Sequence, residues 1–199
     1  MTLETSFERR TFRLEHPFTI SRGTQEVAEN VVVRIEDEEG TAGIGGAAPA
    51  GHYGETVETV EAVLPALLDV VERVGDPHAL ERIERGMAET VGDNPAAKAA
   101  VDIALHDLIG KRTDLPLFRY WGLDPSDSVT TSYTIGIDEP EVMERRAREA
   151  VEAGYEVLKV KLGTDRDVES LEAVRSGAPD ATIRVDANEA WTPREAVAA

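Results

Sequence analysis

The chain has no cysteine among its 199 residues, which excludes disulfides, thiolate metal sites and cysteine nucleophiles. It also lacks any apolar run of about 18 residues and any signal-peptide core at its N-terminus. A soluble, cytoplasmic protein with no membrane partner is therefore expected. Positive charge is scarce: 21 Lys and Arg stand against 39 Asp and Glu, for a net charge of −18. Neutralising phosphates requires a basic surface, so nucleic acid is not an expected partner. Lysine is the rarest charged residue, with only Lys98, Lys111, Lys159 and Lys161 beside seventeen arginines. An acidic, lysine-poor surface holds its hydration in concentrated salt, which points to a halophilic host; an acidic mesophilic protein is the alternative.

What is present is enough apolar material, 41% of residues, for a core, and enough length for one full domain or for one small domain plus part of another. Residues 1 to about 48 read as three strands, FERRTFRLE, ENVVVRIEDEEG and TAGIGGAAP, with a turn at Glu38-Glu39-Gly40. A polar loop, HPFTISRGTQEVA, separates the first two and is long enough to cover something. Three helices follow. The first runs from Glu55 to Val74, with Pro65 expected to kink or interrupt it. The second is opened by Asp76-Pro77 and ends near Val91. The third is opened by Asn94-Pro95 and closed by Gly110, and its face of Ala97, Ala100, Val101, Ala104 and Leu108 suits close packing.

LPLFRYWGLDP then connects to a boundary at Pro125 to Ser128, after which the rhythm changes. SVTTSYTIGI, YEVLKVKLG and TIRVDANEAW read as strands. They alternate with helices EPEVMERRAREAVEAG, DRDVESLEAVRSGA and the start of PREAVAA. That alternation is the pattern of βα units around a parallel sheet. The expected organisation is an α+β cap over residues 1–126, followed over residues 127–199 by the start of a βα barrel.

Half of the lysines fall in one strand. Val157, Lys159 and Lys161 share one of its faces, and Leu158, Val160 and Leu162 the other. In the next strand Arg184, Asp186 and Asn188 form the polar face, with Ile183, Val185 and Ala187 opposite. Adjacent parallel strands would set Asp186 beside the lysines, near the C-terminal strand ends where barrel active sites lie. Two close ammonium groups depress each other's pKa and favour a neutral lysine able to take a proton. A carboxylate at a strand end is a hard ligand suited to Mg²⁺. Together these are the equipment for removing a proton alpha to a carboxylate. Alternating lysines also describe a solvated strand face, and Asp-Ala-Asn also reads as a turn or helix cap.

LKVKLG followed by VDANEAW, 25 residues from Lys161 to Asp186, resembles the enolase superfamily in its muconate lactonising enzyme subgroup. AAVDIALHDLIGK with LPLFRYWG looks like that subgroup's segment joining cap to barrel, and PFTISRGT like its mobile cap loop. The resemblance implies an N-terminal capping domain followed by a TIM-type (β/α)7β barrel, here truncated after about three strands. It implies that Lys161 is the base on one substrate face. Lys159 would tune that base and contact the substrate carboxylate. Asp186 matches the first of three Mg²⁺ ligands, supported by Asn188. SYTIG resembles the first barrel strand of the dipeptide epimerases, where the position of Thr134 touches substrate, and Arg22 falls where those enzymes place a substrate-binding arginine.

The implied function is a Mg²⁺-dependent racemase or epimerase acting through an enediolate on a small carboxylate, a dipeptide or N-acyl amino acid. The alternatives are a muconate-type cycloisomerase or an o-succinylbenzoate synthase. From another class comes an inactive chain, or a binding or degenerate protein. A homo-oligomer is compatible with each. Two further acidic ligands and an opposing lysine would lie beyond Ala199, and Gly45-Gly46-Ala47 replaces the Gly-Glu-Ala of many relatives with an expected local effect only. His106, one turn after Asp102, reads as a structural hydrogen bond between cap and barrel rather than a metal ligand. His16, His52 and His78 read as surface residues, and Trp121 and Trp191 as packing groups. The glycines from Gly43 to Gly46 lack the setting of a phosphate loop.

Overall fold

A computed structural model describes residues 2–198. They form two compact units. The first holds the chain up to Arg13 together with Val27–Ser126, and the second holds Leu14–Glu26 together with the chain from Asp127 onward.

The N-terminal strands are longer than their apolar runs. β1 spans Leu3–Ile20 and β2 spans Gly23–Asp37, so the segment expected as a polar loop is instead the end of a long hairpin. Thr19, Thr24 and Val27 favour extended backbone, and only Ser21-Arg22 is left for the turn. The hairpin is shared, its base in the first unit and its tip in the second. β3, Ala42–Ala47, pairs antiparallel with β2 and completes a sheet of order β1-β2-β3. The Asp37 carboxylate closes the β2–β3 turn. Its Oδ1 accepts from the backbone N–H of Glu39 and of Thr41, each at 2.9 Å, and its Oδ2 lies 2.7 Å from an Arg112 amino group.

Val31, Val33 and Ile35 alternate along β2 and are fully buried. They pack with α1, Val57–Val74, and α3, Pro95–Thr113, through Val60, Leu64, Leu67, Ala100, Ala104 and Leu108. Burial of each valine, leucine or isoleucine here is worth about 1.5–3 kcal/mol. The alanine face of α3 meets the glycines of β3. A Cβ on Gly43 would lie 2.0 Å from the Ala104 carbonyl oxygen, and one on Gly45 would lie 1.9 Å from that of Ala100. Gly43 and Gly45 therefore serve close strand–helix packing, whereas Gly46 faces open space.

Pro65 does not interrupt α1, because it sits on the exposed side, where a helix tolerates a missing hydrogen bond. α2, Leu80–Thr90, starts later than Asp76-Pro77 implies, since the Asp76 carboxylate accepts from His78 N in a local turn instead of capping the helix. Asn94 adopts φ 53° and turns its amide to the Gly92 carbonyl. The α3 N-terminus is capped by buried Glu55, whose two carboxylate oxygens lie 3.1 Å from Ala96 N. Gly110 lies inside α3, which continues to Thr113 and ends on Asp114 at φ 51°. A short helix, α4, covers Leu117–Tyr120. The His106 ring donates through Nδ1 to the Asp102 carbonyl at 3.0 Å and meets Trp121 edge-on, so these contacts lie within the first unit and not between cap and barrel.

In the second unit, β4 (Tyr133–Ile135), β5 (Val157–Lys161) and β6 (Thr182–Asp186) form a parallel sheet in that order. β4 is far shorter than SVTTSYTIGI, because the chain before it is exposed and Ile137 N donates instead to the Thr19 carbonyl of the hairpin tip. α5, Pro140–Glu152, and α6, Asp167–Gly177, connect the strands and cover one sheet face. That face carries buried Ile135, Leu158, Val160 and Leu162 against Met143, Ala147 and Val174. Gly177 lets the two helices touch, since a Cβ there would lie 2.2 Å from the Glu144 carbonyl oxygen. α7 spans Pro193–Ala198.

Candidate active site

The helix-covered face takes every second residue of β5, and this forces Lys159 and Lys161 onto the other face. The register pairs Thr134 with Lys159 and Lys159 with Arg184, and in the next row Lys161 with Asp186. Thr134, Lys159, Lys161 and Asp186 thus share one face of one sheet. Both lysines reach a single oxygen: Nζ of Lys159 and Nζ of Lys161 each lie 2.8 Å from Asp186 Oδ2. The Lys161 side chain is the more enclosed, 10% exposed against 39% for Lys159.

The other carboxylate oxygen, Asp186 Oδ1, accepts from Asn188 N at 2.9 Å. Hydrogen bonds from Lys159, then from Lys161 and the Asn188 amide, hold the Asp186 carboxyl well below the usual carboxylate range. In turn the bond to Asp186 raises the Lys159 pKa. The expectation that Lys159 and its neighbour repel to lower values does not hold for Lys159 here, because a carboxylate lies between the two ammonium groups.

Beyond β6 the chain turns through Asn188 and Glu189 at φ 47° and 68°, two successive non-glycine residues in the left-handed region. Backbone held in this region costs about 1–3 kcal/mol per residue and concentrates at functional sites. The hairpin tip meets this turn. Ser21 Oγ donates to the Asn188 carbonyl at 2.9 Å, and the Arg22 guanidinium lies 3.0 Å from Glu189 Oε1. Gly163, at φ 120°, makes the approach feasible, since a Cβ there would lie 2.6 Å from Ala190 Cβ and 3.0 Å from Ser21 Cβ. Trp191 is a packing group whose Nε1 donates to Asp167.

The structure thus brings Lys159, Lys161, Asp186 and Asn188 into one cluster, with Arg22 beside it through Ser21 and Glu189. Thr134 shares the lysine face and lines a cavity of about 380 Å³ with Leu14, His16, Phe18, Gln25 and Arg146. Glu189 and Ser21 escaped the sequence reading. Their place depends on the positive φ angles after β6 and on the docking of the hairpin tip, and neither has a residue-type signal.

Whether these residues suit Mg²⁺ is decided by the donor set. Asp186 supplies carboxylate oxygen, and Asn188 Oδ1 is buried with no hydrogen-bond partner. Both are hard oxygens of the type Mg²⁺ takes, so the chemistry fits. Among the described residues no group of three His, Cys, Asp or Glu gathers around a common point, so they account for part of a six-oxygen shell.

The pattern for the mandelate racemase/muconate lactonizing enzyme N-terminal domain matches residues 3–122, and that for the enolase C-terminal domain-like family matches residues 142–199. The chain belongs to this family. It is an enolase-superfamily N-terminal domain with part of the C-terminal barrel domain. Among its relatives, the hydrophobic dipeptide epimerase of Enterococcus faecalis is 40% identical over 196 residues, covering 94% of this chain and 53% of that protein. The L-Ala-D/L-Glu epimerase of Bacteroides thetaiotaomicron is 41% identical over 185 residues, covering 92% and 46%. A crystal structure of the E. faecalis dipeptide epimerase with Mg and L-Leu-L-Tyr superposes with a TM-score of 0.84 at 37% identity, covering 100% of this chain and 57% of that one. The chain spans about half the length of the curated relatives it matches. Among the described residues no helix is long and apolar enough to cross a membrane.

Proposed function

We propose that this chain carries part of the active site of a Mg²⁺-dependent epimerase or racemase that removes the α-proton of a small carboxylate substrate, with dipeptides as the substrate class. Residues 1–126 are read as its capping domain and residues 127–199 as the start of its barrel, in a cytoplasmic enzyme. The observation that carries this reading is the convergence of Lys159 and Lys161 on one oxygen of Asp186.

In this reading Lys161, the more enclosed lysine, takes the α-proton at Nζ. Lys159, nearer to solvent, pairs with the substrate carboxylate and balances the charge that proton removal leaves there. Asp186 and the free Asn188 Oδ1 are the residues that would hold Mg²⁺, which when bound supplies Lewis acidity beside the substrate carboxylate. Thr134 and Arg22 orient the rest of the substrate, and the hairpin tip limits the access of water. Dipeptides are favoured over other carboxylates because Arg22 lies beside the cluster and Thr134 on its sheet face, and because the relatives above are dipeptide epimerases.

The test is solvent-deuterium incorporation at the α-carbon of L-Ala-L-Glu and of a dipeptide panel with Mg²⁺, followed by NMR. Incorporation that is lost in Lys161→Met supports the reading. Absence of incorporation across the panel, in protein long enough to match its relatives, overturns it. A second reading concerns the 199 residues alone. With one carboxylate at the cluster and no three-ligand group among the described residues, they are expected to bind Mg²⁺ weakly and to show no turnover. Exchange catalysed by these 199 residues alone would remove that second reading.

A further inference from the structure

Arg22 does not wait with an open guanidinium. Its amino group lies 3.0 Å from Glu189 Oε1, so a carboxylate belonging to the chain already holds the guanidinium to which the proposed function assigns the part of the substrate away from its reacting carboxylate. Three features show that this is a defined arrangement. Glu189 reaches Arg22 from a left-handed backbone, φ 68°, which directs it out of the strand line of β6. Its neighbour Asn188, also left-handed, accepts the Ser21 hydroxyl through its carbonyl, so the residues preceding Arg22 and Glu189 are clasped as well. Gly163 supplies the space in which the two segments meet.

The pair is also weak enough to exchange. Its side chains are 38% and 67% exposed, and an ion pair this open contributes little net stability. A bound carboxylate of similar geometry can replace Glu189 without a large penalty, whereas a neutral side chain cannot. A cationic side chain would meet Arg22 as a like charge and gain only by drawing Glu189 away from it.

We propose that Glu189 is a specificity-determining residue: it occupies Arg22 as a resident carboxylate, holds the hairpin tip on the β6 turn, and yields Arg22 to dipeptides that bring an acidic side chain. The inference rests on the reading of Arg22 as a substrate-binding residue and names the charge of the side chain it would meet. Glu189 acts through Arg22 and takes no part in proton transfer.

The experiment compares the chain with its Glu189→Gln and Ser21→Ala variants. Amide hydrogen exchange is followed over Leu14–Glu26, and binding of L-Ala-L-Glu and L-Ala-L-Gln is measured at matched ionic strength. In Glu189→Gln the tip exchanges about two- to five-fold faster, the factor corresponding to an exposed ion pair, and L-Ala-L-Glu binds tighter by a similar factor. L-Ala-L-Gln binding stays unchanged, and saturating L-Ala-L-Glu restores the protection of the tip. Ser21→Ala speeds exchange but leaves the ratio of the two affinities alone, which separates charge competition from loosening of the loop. The proposal is overturned if Glu189→Gln leaves tip exchange and the affinity ratio as they were. It is equally overturned if Ser21→Ala shifts that ratio as much, or if Glu189→Gln binds no L-Ala-L-Glu. Failure of the proposed function itself is read separately, from the absence of deuterium at the α-carbon.

Discussion

Lys161 donates to Asp186 Oδ2 at 2.8 Å across neighbouring strands whose register sets the two residues side by side. The strand pairing rests on backbone hydrogen bonds, so near-isosteric substitutions of either side chain test the chemistry of the bond without removing a rung of the sheet.

Replacing Asp186 by Asn removes the charge shared by two ammonium groups, one of them largely enclosed. Leaving such a partner uncompensated costs about 1–3 kcal/mol. Urea denaturation should show a loss in that range. Titration calorimetry should show Mg²⁺ binding abolished, whereas Lys161→Met should leave Mg²⁺ affinity within a few-fold of the parent. Equal Mg²⁺ affinity in Asp186→Asn and the parent would remove Asp186 from the ligand set.

Gly45→Ala and Gly46→Ala form a matched pair, one residue apart on β3. The first places a methyl group 1.9 Å from the Ala100 carbonyl oxygen, a backbone atom of a packed helix. It should destabilise by about 3 kcal/mol or more, at the severe end of overpacking. The second meets open space and should change stability by less than about 1 kcal/mol, in the stabilising direction. Similar thermal midpoints for the two would contradict the strand–helix contact.

Asp37 predicts an acid limb. Its burial alone would raise the carboxyl, but the backbone N–H groups of Thr41 and Glu39 and the Arg112 guanidinium outweigh that and hold it below the usual range. A carboxyl depressed in the folded state adds stability that is complete above its unfolded pKa of about 3.9 and is lost as the pH falls toward the folded value. Thermal midpoints should therefore drop as acidity increases below about pH 4, and Asp37→Asn should flatten that part of the profile while lowering stability at neutral pH. An unchanged slope in Asp37→Asn would assign the acid limb to other carboxylates.

Salt should stabilise the protein. A net charge of −18 on 199 residues repels itself, and screening shortens the reach of that repulsion from about 10 Å at 0.1 M to about 3 Å at 1 M salt. The midpoint of thermal unfolding should rise steadily with KCl over that range, and further in concentrated salt if the surface is adapted to it. A flat or falling midpoint would argue for an ordinary acidic surface.

The lysine–aspartate cluster was legible because strand alternation and parallel register are properties of residue order. Once YEVLKVKLG and TIRVDANEAW are strands of one parallel sheet, Lys159, Lys161 and Asp186 must share a face. The Ala-rich side of α3 was legible for the same reason, through helical periodicity. What escaped depends on distant partners. No local pattern reveals that Glu55 rather than Asn94 caps α3, because the capping carboxylate comes from 41 residues away. The hairpin tip has the composition of a loop, with polar and exposed residues, and forms strand instead. Its extended form is fixed by backbone pairing and by the Thr19 carbonyl that receives Ile137 N. Strand order places Asp186 beside the lysines but not both ammonium groups on one of its oxygens, and that contact is what raises the Lys159 pKa.

The hairpin that spans both units has a consequence for how the chain is made. Ser21 must find Asn188, 167 residues further along. At synthesis rates of about 5–20 residues per second, the tip emerges roughly ten to thirty seconds before its landing place exists. During that interval the tip lacks the turn after β6 on which it docks. A gene divided at residue 127 would leave this interval permanently open: one product would carry a tip with nowhere to dock, and the other a sheet lacking the residues that close over it.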